Sequence, residues 1–195
     1  NDNPYSFILN DNPLSILSQP GAKDCCLELN SLSKAHNMAG WRIGMVAADS
    51  EVIAQILKVK SQMDSGMFKP LQLAAVQALA QGGEWFSQLN DEYRRRRVLA
   101  GDIFDLLGVK YDVDSTGMFL WGRITEDSLP GAGPAGSDGS AGERLSDRIL
   151  YEAGVFITPG FIFGRNGENY VRISLCAKPE VLEKAAGKIR SLYIK

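Results

Sequence analysis

From Glu84 to Leu107 the chain runs without a proline, and Trp85, Phe86, Leu89, Tyr93, Val98, Ile103 and Leu106 recur at helical spacing before Gly108 ends the pattern. A helix of that extent rises about 1.5 Å per residue and reaches about 36 Å, more than a small domain needs to cross itself. This stretch is therefore expected to bridge two domains, and it divides the chain into two textures.

Before it, strand and helix signals alternate. Cys25 to Leu29 and Trp41 to Ala48 are short apolar runs that read as buried strands, with Lys34 on a loop near a strand end. Asp49-Ser50 is a helix start for Val52 to Met63, and Pro70 suits the first turn of a further helix running toward Gly82-Gly83. After the long helix, Tyr111 to Val113, Met118 to Ile124, Val155 to Thr158 and Tyr170 to Leu175 read as strands. Helices are expected at Glu143 to Ala153 and from Pro179 toward Tyr193. Grouped strands with flanking helices suggest a small α+β unit. Leu129 to Gly142, rich in Gly, Ala, Pro and Ser, reads as a mobile loop, a disordered insertion rather than a lid.

Composition removes several classes. With 195 residues, 45% hydrophobic and 23% charged, the chain can bury a core. A net charge of −2 gives no reason to expect nucleic acid or an anionic membrane as partner, and no apolar run is long enough for a membrane span. The run Arg94 to Arg97 wraps around a helix with Asp91, Glu92 and Asp102 nearby, so it reads as a solvated face with some interdomain ion pairs. Cys25, Cys26 and Cys176 are odd in number and read as small buried residues in a reducing cytoplasm. His36 is the only histidine, which argues against a metal site and against a Ser-His-Asp triad. His36 itself reads as a partly buried structural residue.

The chemistry concentrates in Ser31-Leu32-Ser33-Lys34 and Gly40-Trp41-Arg42-Ile43-Gly44. An amine with hydroxyls one and three residues before it and a guanidinium eight residues after it can hold a phosphorylated aldehyde. The amine can form a Schiff base, and the hydroxyls and guanidinium can donate to a phosphate. Trp41 and Ile43 suggest a less exposed setting for Arg42, and the flanking glycines allow close backbone approach. On Tyr170 to Leu175, alternation puts Val171, Ile173 and Leu175 on one face and Tyr170, Arg172 and Ser174 on the other.

The segment 31–44 resembles the cofactor-lysine segment of fold-type I pyridoxal-phosphate aminotransferases of class I/II. Asp2-Asn3-Pro4-Tyr5 resembles the D-x-x-Y element that precedes it by about thirty residues in that family, although alone it is an ordinary turn. Gly154 through Pro159-Gly160, with Tyr170 to Ser174, resembles the family's C-terminal signature. The resemblance implies an α/β fold: the end of the large cofactor domain with most of the connecting helix at 1–92, then a small α+β C-terminal domain at 93–195. It implies pyridoxal 5'-phosphate as cofactor, Lys34 as the Schiff-base and catalytic lysine, Asp2 against the pyridine nitrogen and Tyr5 on the ring hydroxyl. Ser31, Ser33 and Arg42 would hold the phosphate, and Arg172 the substrate carboxylate. No metal is implied.

The implied activity is transfer of an amino group between an amino acid and a 2-oxo acid. A carbon–sulfur β-lyase would use the same residues. A reading of another class is a non-catalytic C-terminal module that needs a companion chain. Members of the family are about twice this long, so the chain is expected to be a fragment of a cytoplasmic homodimer. Residues 1–80 are then expected to leave apolar faces uncovered. Met63 to Lys69 would lie near the partner subunit, and with no arginine there a dicarboxylic substrate is less attractive.

Overall fold

The structure, a computed structural model, describes residues 1–126, 128 and 139–192. It divides into two compact units, Asn1–Asn90 and Asp91–Lys195.

In the first unit β1 (Glu28–Ser31) pairs antiparallel with β2 (Gly44–Ala47), Glu28 opposite Ala47 and Ser31 opposite Gly44. One helical turn, α1 (Leu32–Ala35), and a 3₁₀ turn at Ala39–Trp41 connect them. The first residues lie along β1 in parallel. Asp2 bridges Leu29, the Leu29 N–H donates to Asn1 O at 2.7 Å, and the Asn3 N–H donates to Leu29 O at 2.9 Å. Helix α2 (Ser50–Met63) begins where the Asp49 side chain accepts the Glu51 N–H at 2.7 Å, a cap that satisfies one of the orphan amides of the first turn. Helix α3 (Lys69–Leu79) carries Pro70 in its first turn, where a missing N–H costs nothing.

Both strands start later than their apolar runs suggest. The Cys25 and Cys26 N–H groups are used on Ala22 O, closing a 3₁₀ turn at Ala22–Asp24, so β1 begins only at Glu28. The Ala39–Trp41 turn and a left-handed Arg42 occupy the front of the second run. The cysteines are not core residues either: Cys25 and Cys176 are exposed and Cys26 is half-buried. A turn presents side chains outward that a strand would have buried.

Helix α4 (Gly83–Leu106) is the long helix expected, and it contains the division between the units. Gly108, at φ 65°, ends it in a left-handed conformation, and the Val109 N–H returns to Phe104 O at 2.9 Å. In its second half Arg94 pairs with Asp91 at 2.7 Å, Arg96 pairs with Glu92 at 2.8 Å and donates to Leu175 O, and Arg97 donates to Ser115 O.

The second unit holds β3 (Lys110–Tyr111), β4 (Phe119–Arg123), α5 (Ala141–Ala153), β5 (Thr158–Pro159), β6 (Tyr170–Ser174) and α6 (Pro179–Arg190). The sheet order is β3-β4-β6-β5, every pair antiparallel, with Arg172 opposite Trp121 on one side and Thr158 on the other. Alternation along β6 is as read: Val171, Ile173 and Leu175 are buried while Tyr170, Arg172 and Ser174 are half-buried. Helix α5 opens with a capping box, Ser140 accepting from the Glu143 N–H and Glu143 from the Ser140 N–H. Most of the glycine-rich stretch 129–142 lies outside the described residues, as does Tyr193, toward which the last helix was expected to run. Among the described residues no helix is long and apolar enough to cross a membrane.

Candidate active site

Lys34 stands on the one-turn helix α1, not on a loop. Leu32 and Ala35 point inward and are buried, and Leu32 packs in a cluster with Met38, Ile43 and Ala75. That anchoring leaves Ser33 and Lys34 half-buried on the other side of the turn. Ser31 ends β1 with extended backbone, and its Oγ accepts the Ser33 N–H at 3.1 Å, which starts the turn. The same Oγ donates to Ser33 Oγ at 2.9 Å. Two hydroxyls are thereby held together on the backbone turn that carries Lys34.

The hairpin brings the guanidinium back to the same end. Ser31 faces Gly44, and Arg42 precedes Gly44 by two residues. A Cβ at Gly44 would sit 2.6 Å from Asn30 O, so only glycine lets the strands close here. Arg42 adopts φ 52°, ψ 50°, a left-handed conformation costing a non-glycine residue about 1–2 kcal/mol. One guanidinium N–H donates to Ala39 O at 3.2 Å. Contrary to the sequence reading, Arg42 is exposed, as is its neighbour Trp41, because the turn projects both outward. One amine, two hydroxyls and one guanidinium at a single hairpin end form a donor set that fits a phosphorylated aldehyde.

Asp2 lies beside Leu29, two residues before Ser31, and is exposed; Tyr5 is half-buried in the turn that follows. Two buried polar clamps fix this segment, and neither was singled out from sequence. The Glu28 carboxylate receives the Ser15 hydroxyl and the Ile16 N–H at 2.9 Å each, and the Asn1 amide at 3.3 Å. Burial alone would raise its pKa, but these hydrogen bonds outweigh it and hold the carboxyl below its ordinary value. Asn90 accepts the Leu9 N–H at 2.8 Å and donates to Phe7 O at 3.0 Å. The available signal was an asparagine between Leu89 and Tyr93 on an apolar helix face. His36 meets Phe86 edge-on at 5.5 Å, its Nδ1 is buried without a partner, and burial pushes its pKa below the ordinary value.

Arg172 lies in the second unit. Its guanidinium carbon is 4.3 Å from the centre of the Phe119 ring and 4.2 Å from that of Phe163. Two rings this close engage the cation through their π faces, and a guanidinium so held can still donate its in-plane N–H groups to an acceptor. Its Nε is buried and has no partner, the condition an anion would relieve. Trp121 stacks on Tyr170 at 5.3 Å and meets Phe163 edge-on at 5.7 Å, so the cage wall is itself braced. Phe119 is legible as the residue facing Ser174 across the sheet only once the register is known. Among the described residues no cluster of three His, Cys, Asp or Glu side chains is disposed to hold a metal.

Residues 9–189 match the family described as aminotransferase class I and II. The LL-diaminopimelate aminotransferase of Oleidesulfovibrio alaskensis is 40% identical over 183 residues, 94% of this chain and 44% of the relative. Apo-BacF from Bacillus subtilis shares the fold with a TM-score of 0.82 at 31% identity, covering 98% of this chain and 46% of the other. An aromatic aminotransferase from Pyrococcus horikoshii gives a TM-score of 0.82 at 29% identity, over 99% and 50% of the two chains. The chain spans about half the length of the curated relatives it matches.

Proposed function

The chain belongs to the class I and II aminotransferase family, and on that premise we propose that it supplies the lysine and the carboxylate-binding arginine of a pyridoxal 5'-phosphate-dependent aminotransferase. The observation that carries this reading is the Ser31–Ser33 hydroxyl pair, 2.9 Å apart on the turn that carries Lys34, at the hairpin end to which Arg42 returns. Residues 1–92 are assigned to the cofactor domain and 93–195 to the small domain.

Pyridoxal 5'-phosphate, when bound, contributes an electron sink that makes a substrate Cα–H bond acidic. Lys34 Nζ anchors the cofactor covalently at rest and carries the proton away from the substrate Cα during turnover. The Ser31 and Ser33 hydroxyls and the Arg42 guanidinium hold the phosphate. Asp2 supplies the anion for the pyridine nitrogen, and Tyr5 donates to the ring hydroxyl. Arg172 receives the substrate α-carboxylate through its in-plane N–H groups. The substrates are an amino acid donor and a 2-oxo acid acceptor. The relative's name makes LL-diaminopimelate the first donor to test, against the expectation drawn from the arginine-free stretch Met63 to Lys69. A cytoplasmic homodimer completes the proposal.

The experiment is borohydride reduction of the complete cofactor-loaded protein, followed by peptide mapping. Label fixed on Lys34 is the expected result; label on another lysine, or none, overturns the assignment. Lys34→Ala in the same protein is expected to lower turnover at least about 10²–10⁴-fold, the range of a lost acid–base group. Release of pyruvate from a sulfur amino acid without any 2-oxo acid would favour the lyase instead.

A further inference from the structure

The Cys25–Cys26 pair has no part in the chemistry above, and its geometry is that of a chelate. The two Sγ atoms lie 3.8 Å apart on adjacent residues. Cys25 is exposed and Cys26 half-buried, so a reagent can reach both sulfurs. The backbone beneath them is fixed: both N–H groups donate to Ala22 O, at 3.2 and 2.8 Å, and Cys25 Sγ points back toward Gly21 O at 3.6 Å. A single centre bonded at about 2.3 Å to each of two sulfurs holds them well inside about 4.6 Å of one another. At 3.8 Å the pair is within reach of one such centre, a pyramidal one drawing the two sulfurs slightly closer.

We propose that Cys25 and Cys26 form a bidentate site for thiophilic trivalent centres, with monosubstituted arsenic(III) compounds as the ligand class. A four-coordinate metal is the poorer occupant, because among the described residues no third His, Cys, Asp or Glu joins the pair to hold one. A pyramidal arsenic(III) that already bears one carbon substituent needs only two sulfurs. The step balances without an oxidant. Each thiol gives its proton to the oxide oxygen, two arsenic–sulfur bonds form, the arsenic–oxygen bond breaks, and water leaves with arsenic still trivalent. A hydrogen bond with Cys26 and the charge of that neighbour raise the Cys25 pKa, so its thiolate fraction is small at neutral pH and capture is expected to quicken as pH rises. Cys176, exposed in the other unit, is a built-in single-thiol control.

The test uses the purified 195-residue chain and phenylarsine oxide at one equivalent, followed by excess 2-mercaptoethanol and intact-mass analysis. A chelate resists a monothiol because both bonds must be displaced, whereas a single arsenic–sulfur bond is exchanged. The parent chain and Cys176→Ser are expected to keep one arsenic through the wash, and the parent's titratable thiols to fall from three to one. Cys25→Ser and Cys26→Ser are each expected to lose the arsenic to background, and 2,3-dimercaptopropanol to strip it from every form. Loss of arsenic from the parent in the monothiol wash overturns the proposal, as does retention by either single-serine variant or dependence on Cys176.

Discussion

The two units make unequal use of their apolar residues. In the second, Phe104, Leu107, Leu120, Leu145, Ile149, Val171, Leu175 and Ile189 are fully buried, each contributing about 1.5–3 kcal/mol of transfer free energy. In the first, α2 buries no residue and every residue of β2 is exposed. Leu57, Met63, Phe68 and Val76 stand more than half exposed. A two-stranded ladder is marginal alone, and here it carries the lysine. The unit with the arginine cage is thus closed by its own side chains. The unit with the amine is held by a small cluster at Leu32, Met38, Ile43 and Ala75 and by the polar clamps at Glu28 and Asn90. Apolar side chains left in water on this scale suit faces that further polypeptide covers.

The largest effect should come from the same truncation made in each unit. Leu145→Ala, at a fully buried position, is expected to cost about 2.7–5 kcal/mol. Leu57→Ala, at 56% exposure, should stay within about 0.5 kcal/mol. Hydrogen exchange read by mass spectrometry separates the units, since a local loss of stability raises exchange only in the unit that bears it. If Leu57→Ala proved as costly as Leu145→Ala, the apolar face of α2 would be packed in solution and the contrast would fail.

The reach of the sequence follows the same division. Caps and breakers are local chemistry, so Asp49, Pro70, Gly108 and Pro179 marked helix ends to within a residue or two. Alternation on β6 was legible because one face is buried by the unit's own core. In the first unit the same apolar runs misled. Cys25 caps one 3₁₀ turn and Trp41 ends another, their N–H groups donating to Ala22 O and Met38 O, and no periodicity reports that. Lys34, Ser31, Ser33 and Arg42 stood out as a motif, but the exposure of Arg42 depends on its left-handed backbone. The Phe119–Arg172–Phe163 stack joins residues far apart in the chain, and only the strand register brings the first two near each other.

A smaller test uses glycines. A Cβ at Gly160 would lie 2.8 Å from Tyr170 O and 2.9 Å from the Trp121 ring, and would also meet Gly167 O. Gly160→Ala is expected to cost about 1–3 kcal/mol by overpacking, and through Trp121 to disturb the wall beside Phe163. Gly40 has open space around its Cβ position and no positive φ. Gly40→Ala should be neutral or stabilise by about 0.4–1 kcal/mol through the unfolded chain. Equal costs at the two positions, measured by thermal unfolding, would mean that the turn before Arg42 is packed more closely than its geometry indicates.

The smallest expected effect is in pH, and on the acid side it separates the units. His36 in the first unit has a depressed folded-state pKa because burial disfavours its charged form. Its contribution is complete above the unfolded value of about 6.5 and is lost as pH falls toward the folded value, since the unfolded chain takes up the proton first. Glu28, depressed by its hydrogen bonds, adds a second loss that begins near its unfolded value of about 4.3. Among the described residues of the second unit the shifted groups are Tyr93 and Tyr111, both raised, chiefly by burial. Their contribution is present below about pH 10 and lost above it, where the unfolded chain ionises first. Hydrogen exchange across pH should therefore show acid-side loosening in the first unit alone, while alkaline loosening is expected in the second from Tyr93 and Tyr111 and in the first from the raised Cys25 thiol. His36→Gln should flatten the step below pH 6.5, and Glu28→Gln the one below pH 4.3. Parallel loss in both units, unchanged by either substitution, would trace acid sensitivity to overall charge and remove His36 and Glu28 as its cause.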